Sequence, residues 1–334
     1  ILWPILQPPR FNLPQPNVLT DGFSGTFALF KQNPIYLSPL GRTCPNQRIM
    51  RCLRIPVAEF LTSMPFDPTP SEEIQVLPLS RLAPDGAWQT ELAHDRNEHV
   101  LIWITRGQGR YMMDGHTRGF GVHSALVFPS RSLWSLELGR QSLGQVLSVP
   151  VTSPVAMPDT PLHLKITETK EQARLNSMLE AMVQEQSGHP ALWRRAMQSY
   201  SELISIQLRR LPPSGPLPPQ RPSAARRLSR AYCQRVAENH DSRATMADHA
   251  AALNVTPTHL TRVCKAETGK TAATLLTERQ LHAARSLLIN SEMPMREISE
   301  SLGFGSPAYF TRFISQHTGQ TPSALRKSAR NLRR

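Results

Sequence analysis

Cysteines, acidic residues and long hydrophobic runs are all scarce in this sequence. Four of the 334 residues are cysteines, and no two of them have the C-x-x-C spacing typical of zinc or redox sites. This scarcity favours a reducing cytoplasm and argues against a disulfide framework. No stretch reaches the roughly 18 consecutive apolar residues that a spanning helix needs. We therefore expect a cytoplasmic protein without a membrane span, in which Cys233 and Cys264 are small buried residues.

The shortage of acidic residues leaves a strong positive charge. Lys and Arg number 38 against 25 Asp and Glu, which gives a net charge of +13. Residues 223–334 contribute +9 of this excess, from 17 basic and 8 acidic residues. Such a balance favours a polyanionic partner, either a nucleic acid or an anionic membrane surface.

The first 70 residues are predicted to form no domain. They contain twelve of the 30 prolines and show neither helical nor strand periodicity, so we expect a disordered leader. The chain opens at Ile1, and Met64 would make a credible natural start. Residues 1–63 are therefore interpreted as an upstream extension.

Residues 71–160 show the short runs and frequent turns of a small antiparallel barrel. About six candidate strands recur at a spacing of about ten residues, which is typical of all-β barrels and sandwiches. The pair Asp114-Gly115 lies between two of these strands. Both residue types accept positive φ, so the pair predicts a tight β-hairpin.

Residues 161–211 are predicted to form two amphipathic helices. Apolar residues between 168 and 186 recur at the spacing of one helical face. The second helix, from about residue 191 to 211, has Leu192, Leu203 and Ile206 among its apolar positions. The spare apolar surface of such a pair either packs against the barrel or joins two subunits in a homodimer. The proline-rich residues 212–222 then form an interdomain linker.

The chain beyond the linker contains the pattern of helix, tight turn and helix twice. Thr256 and Ser306 are predicted N-caps of the second helix in each copy, and each is followed by a proline suited to the first helical position. Gly269 and Gly319 are suited to left-handed C-caps. A continuous helical pattern from 271 to 289 joins the copies. The predicted class is α+β and multidomain, with a small antiparallel β-barrel and helical pair before an all-α domain of two helix-turn-helix units, residues 223–334.

Two helix-turn-helix units indicate double-stranded DNA as the partner. A major groove about 12 Å wide admits one helix, whose N-terminal side chains reach base edges. Two such helices on a rigid connector would enter successive grooves about 34 Å apart. The candidate DNA-contacting residues are Thr258, His259, Arg262 and Lys265 on the first helix, and Ser306, Tyr309 and Arg312 on the second. His259 and Arg262 are the candidates for base readout, and Lys265 for a phosphate contact.

This C-terminal region resembles the AraC/XylS family of bacterial transcriptional regulators. The likeness runs through residues 256–269, 278–288, 298–304 and 308–323. The stretch 107–134 is similar, more loosely, to the cupin sensor domains that precede this module in many members. The resemblance implies an effector-responsive regulator that acts at promoters, often as a dimer that touches RNA polymerase, and that is not an enzyme.

A small-molecule effector requires a pocket in the barrel. Aromatic side chains offer contact area with a polar handle, so the candidate lining residues are Trp88, Trp103, Tyr111 and Trp134. The alternative is that these four rings only fill the core.

Three other functions are alternatives to the regulator. A cupin-type enzyme is disfavoured because no His-x-His pair begins a metal site, so we expect neither metal nor cofactor. An RNA-binding or membrane-surface role rests on charge alone, whereas duplicated helix-turn-helix units suit DNA. A ligand-independent or architectural DNA-binding protein is the remaining alternative.

Overall fold

The computed structural model describes residues 73–212, 223–241 and 243–332. The predicted leader of residues 1–70 lies outside them, as does the linker beyond residue 212. The strands are β1 (Gln75–Pro78), β2 (Glu98–Arg106), β3 (Gly109–Met113), β4 (His116–Phe120), β5 (Ser124–Phe128), β6 (Trp134–Leu138), β7 (Leu143–Pro150) and β8 (Leu162–Lys165). A short helix, α1 (Trp88–Glu91), precedes β2.

The helices that follow the strands fall into two groups. The first group is the pair α2 (Thr169–Gly188) and α3 (Trp193–Arg210). The second group is α4 (Ala224–Asn239), α5 (Met246–Ala252), α6 (Pro257–Thr268), α7 (Ala272–Asn290), α8 (Met295–Ser301), α9 (Pro307–Thr318) and α10 (Pro322–Leu332). In this part of the chain, no helix is long and apolar enough to cross a bilayer.

The strands form two antiparallel sheets, which confirms the predicted antiparallel β-domain. The larger sheet has the order β1-β7-β2-β5-β8, and the smaller has the order β4-β3-β6. Strands β4 and β8 are both sheet edges and do not pair with each other. The predicted barrel is therefore open between β4 and β8.

The alternation of side chains along the central strand β2 creates two cores. Leu101 and Trp103 point to the helical pair and pack in one apolar cluster with α2 and α3. Ile102 and Ile104 point to the opposite face and pack against the smaller sheet. Because successive strand residues face opposite sides, a fully apolar strand such as β2 is covered on both faces.

Helix α3 presents a different face to the β-domain than its apolar residues suggested. Leu192, Leu203 and Ile206 are 76%, 46% and 40% exposed. The buried face includes Ser201 and Ser205, whose hydroxyl groups donate to the backbone carbonyls of Met197 and Ala156. Met197, Ile204 and Leu208 complete this buried face, so the three exposed apolar residues lie outside it.

The β3–β4 hairpin has the turn that its sequence predicts. Asp114 and Gly115 have φ angles of 57° and 65°. Positive φ at both central residues is the geometry that matches the right-handed twist of the flanking strands. The tight turn projects beyond the smaller sheet.

The caps of the helix-turn-helix units are those that the sequence predicts. The hydroxyl groups of Thr256 and Ser306 accept from the backbone N–H groups of the third helical residue, at 3.3 and 3.2 Å. Gly269 and Gly319 close the same helices with φ of 78° and 71°. Such matched capping fixes where each recognition helix begins and ends.

Helix α7 belongs to both helix-turn-helix units. Its first turns place Ala272 and Leu275 in the apolar core of α4, α5 and α6. Farther along, Leu281 and Leu288 join the core of α8, α9 and α10. Because one unbroken helix is part of two separate cores, the units are joined by a rigid connector.

The β-domain packs directly on the first helix-turn-helix unit. Ala93, Met112 and Leu133 are buried in the same apolar cluster as Tyr232 and Leu260. This shared core was not predicted, since the sequence shows only a proline-rich segment between two separate patterns.

Candidate nucleic-acid interface

Helix α6 presents a polar face to solvent and an apolar face to the core. Leu260, Val263 and Cys264 are buried, with exposures of 1%, 6% and 0%. The predicted DNA-contacting residues of this helix are all exposed: Thr258, His259, Arg262 and Lys265. The helical period alone sets this separation, because residues three and four apart share a face.

A hydrogen bond joins the two candidate base-reading residues. The guanidinium of Arg262 donates to Nδ1 of His259 at 3.1 Å, one helical turn away. Because a guanidinium can only donate, Nδ1 of His259 is the acceptor in this bond. The pair thus presents donors that suit the acceptor atoms on the major-groove edge of guanine.

Helix α9 repeats the arrangement with larger rings in its core. Phe310, Phe313 and Ile314 are buried. The candidates Ser306, Tyr309 and Arg312 are exposed, and the Tyr309 side chain is 57% exposed. The Ser306 hydroxyl already accepts from the backbone N–H of Tyr309, so it retains its own hydrogen and one lone pair for a DNA contact.

The four aromatic residues proposed to line an effector pocket lie in packed cores. Trp88, Trp103, Tyr111 and Trp134 are at most 8% exposed. The indole N–H of Trp103 donates to Oδ1 of Asn176 at 2.7 Å. None of the four lines the open cleft of about 940 Å³ that the β-domain contains, whose lining combines charged and polar residues with Phe120 and three glycines. This cleft had no recognisable pattern in the sequence, because its residues are distant along the chain.

The two described cysteines are structural. Cys233 and Cys264 are buried and free. Burial raises the pKa of the Cys264 thiol to about 12 and that of Cys233 further, so neither is a ready nucleophile or metal ligand. Across the described part of the chain, no three His, Cys, Asp or Glu side chains converge as a metal site would require.

Contacts between the β3–β4 hairpin and the first unit are the functional feature that sequence reasoning missed. Asp114 forms ion pairs with Arg230 at 2.8 Å and with Arg226 at 3.7 Å. The Ser229 hydroxyl donates to the carbonyl of Gly115 at 2.7 Å. Helix α4, which carries all three partners, is thereby held against the turn.

The same hairpin also touches the recognition helix itself. His116 Nδ1 lies 3.1 Å from a carboxylate oxygen of Glu267, and Thr117 donates to the carbonyl of Thr268 at 2.8 Å. Glu267 and Thr268 form the C-terminal end of α6, while its exposed N-terminal half faces solvent. The β-domain therefore contacts the first recognition helix without covering its candidate DNA face.

A second set of contacts fixes α7 to the β-domain. Arg279 pairs with Asp95, and Glu278 accepts from the backbone N–H of Ala93 at 3.0 Å. The rings of His94 and His282 are stacked, with centroids 4.4 Å apart and planes at 10°. Burial lowers the pKa of both imidazoles, and the neighbouring Arg96 and Arg279 lower it further.

Comparison with known proteins places the C-terminal region in a family. A family described as a helix-turn-helix domain matches residues 249–328. The uncharacterized transcriptional regulatory protein YesN of Bacillus subtilis is 35% identical over 77 residues, which are 22% of this chain and 21% of that protein. The transcriptional activator NphR of a Rhodococcus species is 32% identical over 96 residues, 28% of each. The chain thus spans about a fifth to just over a quarter of these relatives' length.

Solved structures give weaker likenesses. The C-terminal domain of AraT, a response regulator from Geobacillus stearothermophilus, is 30% identical, with 33% of this chain and 88% of that one covered and a TM-score of 0.30. ToxT from Vibrio cholerae is 14% identical, with 76% and 96% covered and a TM-score of 0.36.

Together the geometry and the family match define the class of this region. It is a double helix-turn-helix domain, with two capped recognition helices on one connecting helix. The match over residues 249–328 agrees with the helix-turn-helix units that the sequence predicted.

Proposed function

We propose that this protein is a sequence-specific DNA-binding transcriptional regulator that reads two successive major grooves with α6 and α9. The observation that supports it is the pair of recognition helices, whose seven candidate residues are all exposed while their apolar faces lie in two cores joined by α7. A regulator of this kind acts on promoter DNA in the cytoplasm and contacts RNA polymerase, and we include both in the proposal. A catalytic role is not part of it.

We further propose that the regulator responds to a small-molecule effector. Its domains follow the predicted boundaries except at residue 160, because β8 (Leu162–Lys165) pairs with β5 and so belongs to the β-domain and not to the helical pair. The hairpin contacts with α4 and α6 support effector response, because they join the β-domain to the recognition helix. An architectural protein that binds DNA by charge alone would have no need of such contacts.

The first experiment recovers DNA from sheared genomic fragments with the full chain at physiological salt. We expect enrichment of a few sites with two short sequence blocks about one helical turn apart. Uniform recovery across the genome would instead favour the architectural alternative.

Variants then separate base readout from phosphate contact. Arg262→Ala should cost about 1–3 kcal/mol of binding free energy and relax specificity at one base position. Lys265→Ala should weaken binding evenly across sequences and reduce the salt slope by about 1. Lys170→Ala, an exposed lysine on α2, is the matched control and should change neither quantity. Identical specificity profiles for the Arg262 and Lys265 variants would contradict these roles.

A further inference from the structure

An open cleft of about 940 Å³ lies where the two sheets of the β-domain do not join. Its walls are the edge strands β4 and β8, with the start of β5 between them. Arg118 and Phe120 come from β4, whereas His163 and Lys165 come from β8. These two edge strands do not pair to close a barrel, and each carries a cationic side chain that lines the cleft.

The strand register shows that these cations lie on the inner faces of the sheets. Arg118 is directly opposite Tyr111, a buried residue of the core between the sheets. Lys165 is directly opposite Ser124, whose side chain is fully buried. Because paired residues share a face, Arg118 and Lys165 start on the cleft side of their sheets. Both side chains are exposed to solvent, and the Lys165 ammonium donates to the carbonyl of Val122.

A chain of hydrogen-bonding groups forms one wall of the cleft. The Tyr111 hydroxyl lies 3.0 Å from Nδ1 of His163, and Nε2 of His163 lies 3.4 Å from the Ser124 hydroxyl. Burial lowers the pKa of His163, and the charges of Arg118 and Lys165 lower it further. Both cations therefore lie near enough to His163 to disfavour a positive charge on its ring.

The positive charge of the cleft is not neutralised by its own lining. No carboxylate is among the lining residues. In the described ranges, no ion pair involves Arg118, Lys165 or the third lining cation, Arg110. Glu137 lies opposite Arg110 in the β3–β6 register, so the uncompensated charge is centred on Arg118 and Lys165.

We propose that this cleft binds a small organic anion, with its carboxylate or phosphate group between Arg118 and Lys165 and its apolar part against Phe120. The guanidinium offers paired donors and the ammonium a point charge, a combination suited to either anion. The rival explanation is that inward-pointing charges only protect two sheet edges from pairing with other chains. A protective charge has no need of the hydrogen-bonded Tyr111, His163 and Ser124 beside it.

The position of the cleft connects it to the recognition helix. Strand β4 carries Arg118 at the cleft and, one and two residues earlier, Thr117 and His116 at the end of α6. A ligand that shifts β4 therefore acts on the first helix-turn-helix unit. This link rests on the proposed function, whereas binding of the anion does not.

Calorimetry on the full chain tests the binding step. The probes are octanoate and octyl phosphate, with octanamide as the uncharged analogue of matched length. We expect at least one of the two anions to bind and octanamide to bind about tenfold more weakly or worse, because charge-assisted hydrogen bonds are lost. Binding of neither anion, or equal affinity for octanamide, would overturn the proposal.

Charge-removing variants locate the site. Arg118→Gln and Lys165→Gln should each weaken anion binding by about tenfold or more. The control Arg174→Gln, on an exposed arginine of α2, should bind as the parent does. If Arg118→Gln does not fold, Lys165→Gln decides the matter. Unchanged affinity in a folded Lys165→Gln protein would assign these charges to edge protection.

The effect on DNA is measured separately, so that the two proposals fail independently. Affinity for the recovered DNA is compared with and without the anion at equal ionic strength. If the anion changes the DNA affinity of the parent but not that of Lys165→Gln, the effector role is supported. If the anion leaves the DNA affinity of the parent unchanged, that role is overturned. Failure to bind any DNA selectively would refute the regulator while the calorimetric result stands.

Discussion

Replacing Gly115 by alanine tests whether the β3–β4 hairpin holds the first helix-turn-helix unit. Gly115 has a φ of +65°, and an added Cβ would lie 2.6 Å from the backbone nitrogen of Arg230 and 2.7 Å from the carbonyl carbon of Ser229. Both atoms belong to the backbone of α4, so neither can rotate away. The hairpin or the helix must shift.

The expected loss combines two terms. A left-handed conformation costs a non-glycine residue about 1–2 kcal/mol. Overpacking at a close contact costs about 1–3 kcal/mol. We therefore expect Gly115→Ala to lower the free energy of unfolding by about 2–5 kcal/mol.

Gly319 provides a matched control. Its φ is +71°, and an added Cβ would meet nothing within 4 Å. Gly319→Ala should therefore cost only the conformational part, about 1–2 kcal/mol. The comparison isolates the contact with α4 from the backbone preference.

Urea unfolding of the full chain measures both variants, and limited proteolysis reports whether the hairpin separates from α4. We expect the Gly115 variant to lose more stability and to be cleaved faster than the Gly319 variant. Equal losses of stability, with equal cleavage rates, would refute the role of the hairpin as a clamp.

Two further predictions concern pH and assembly. Burial lowers the pKa of His94 and His282, so the unfolded chain takes up protons below about pH 6.5 while the folded chain does not. Their contribution to stability is thus complete above pH 6.5 and is lost as the pH falls below it. Between pH 8 and 5, the melting temperature should depend less on pH in His282→Phe than in the parent. The exposed control His317→Phe should keep the parent's dependence, and equal slopes in all three proteins would contradict the prediction. We also propose a homodimer through the exposed Leu203 and Ile206 of α3. Analytical sedimentation should show that Leu203→Asp converts the dimer to a monomer. A parent protein that is monomeric at all concentrations tested would exclude the homodimer.

The C-terminal domain was predictable from sequence because its determinants are local. Thr256, Ser306, Gly269 and Gly319 cap helices within four residues of themselves, and the period of 3.6 separates buried from exposed positions. The turn at Asp114-Gly115 was predictable for the same reason. Each of these features depends on a few adjacent residues.

The cleft and the domain contacts depend on residues far apart in sequence. His163 meets Tyr111 across 52 residues, and Arg279 pairs with Asp95 across 184. No periodic pattern marks such pairs, because single charged residues are common on any surface. The aromatic pocket prediction used residue type alone, and type does not distinguish a ring that lines a cavity from one that fills a core.

The shared core of the β-domain and the first helix-turn-helix unit has a consequence for how this protein can be divided. Met112 and Leu133 complete the apolar cluster that contains Tyr232 and Leu260. A graft of the C-terminal segment onto another sensor would leave that cluster uncovered on one side. A functional exchange would therefore have to transfer the β3–β4 hairpin together with the helices. The segment that must be transferred is larger than the DNA-binding domain alone.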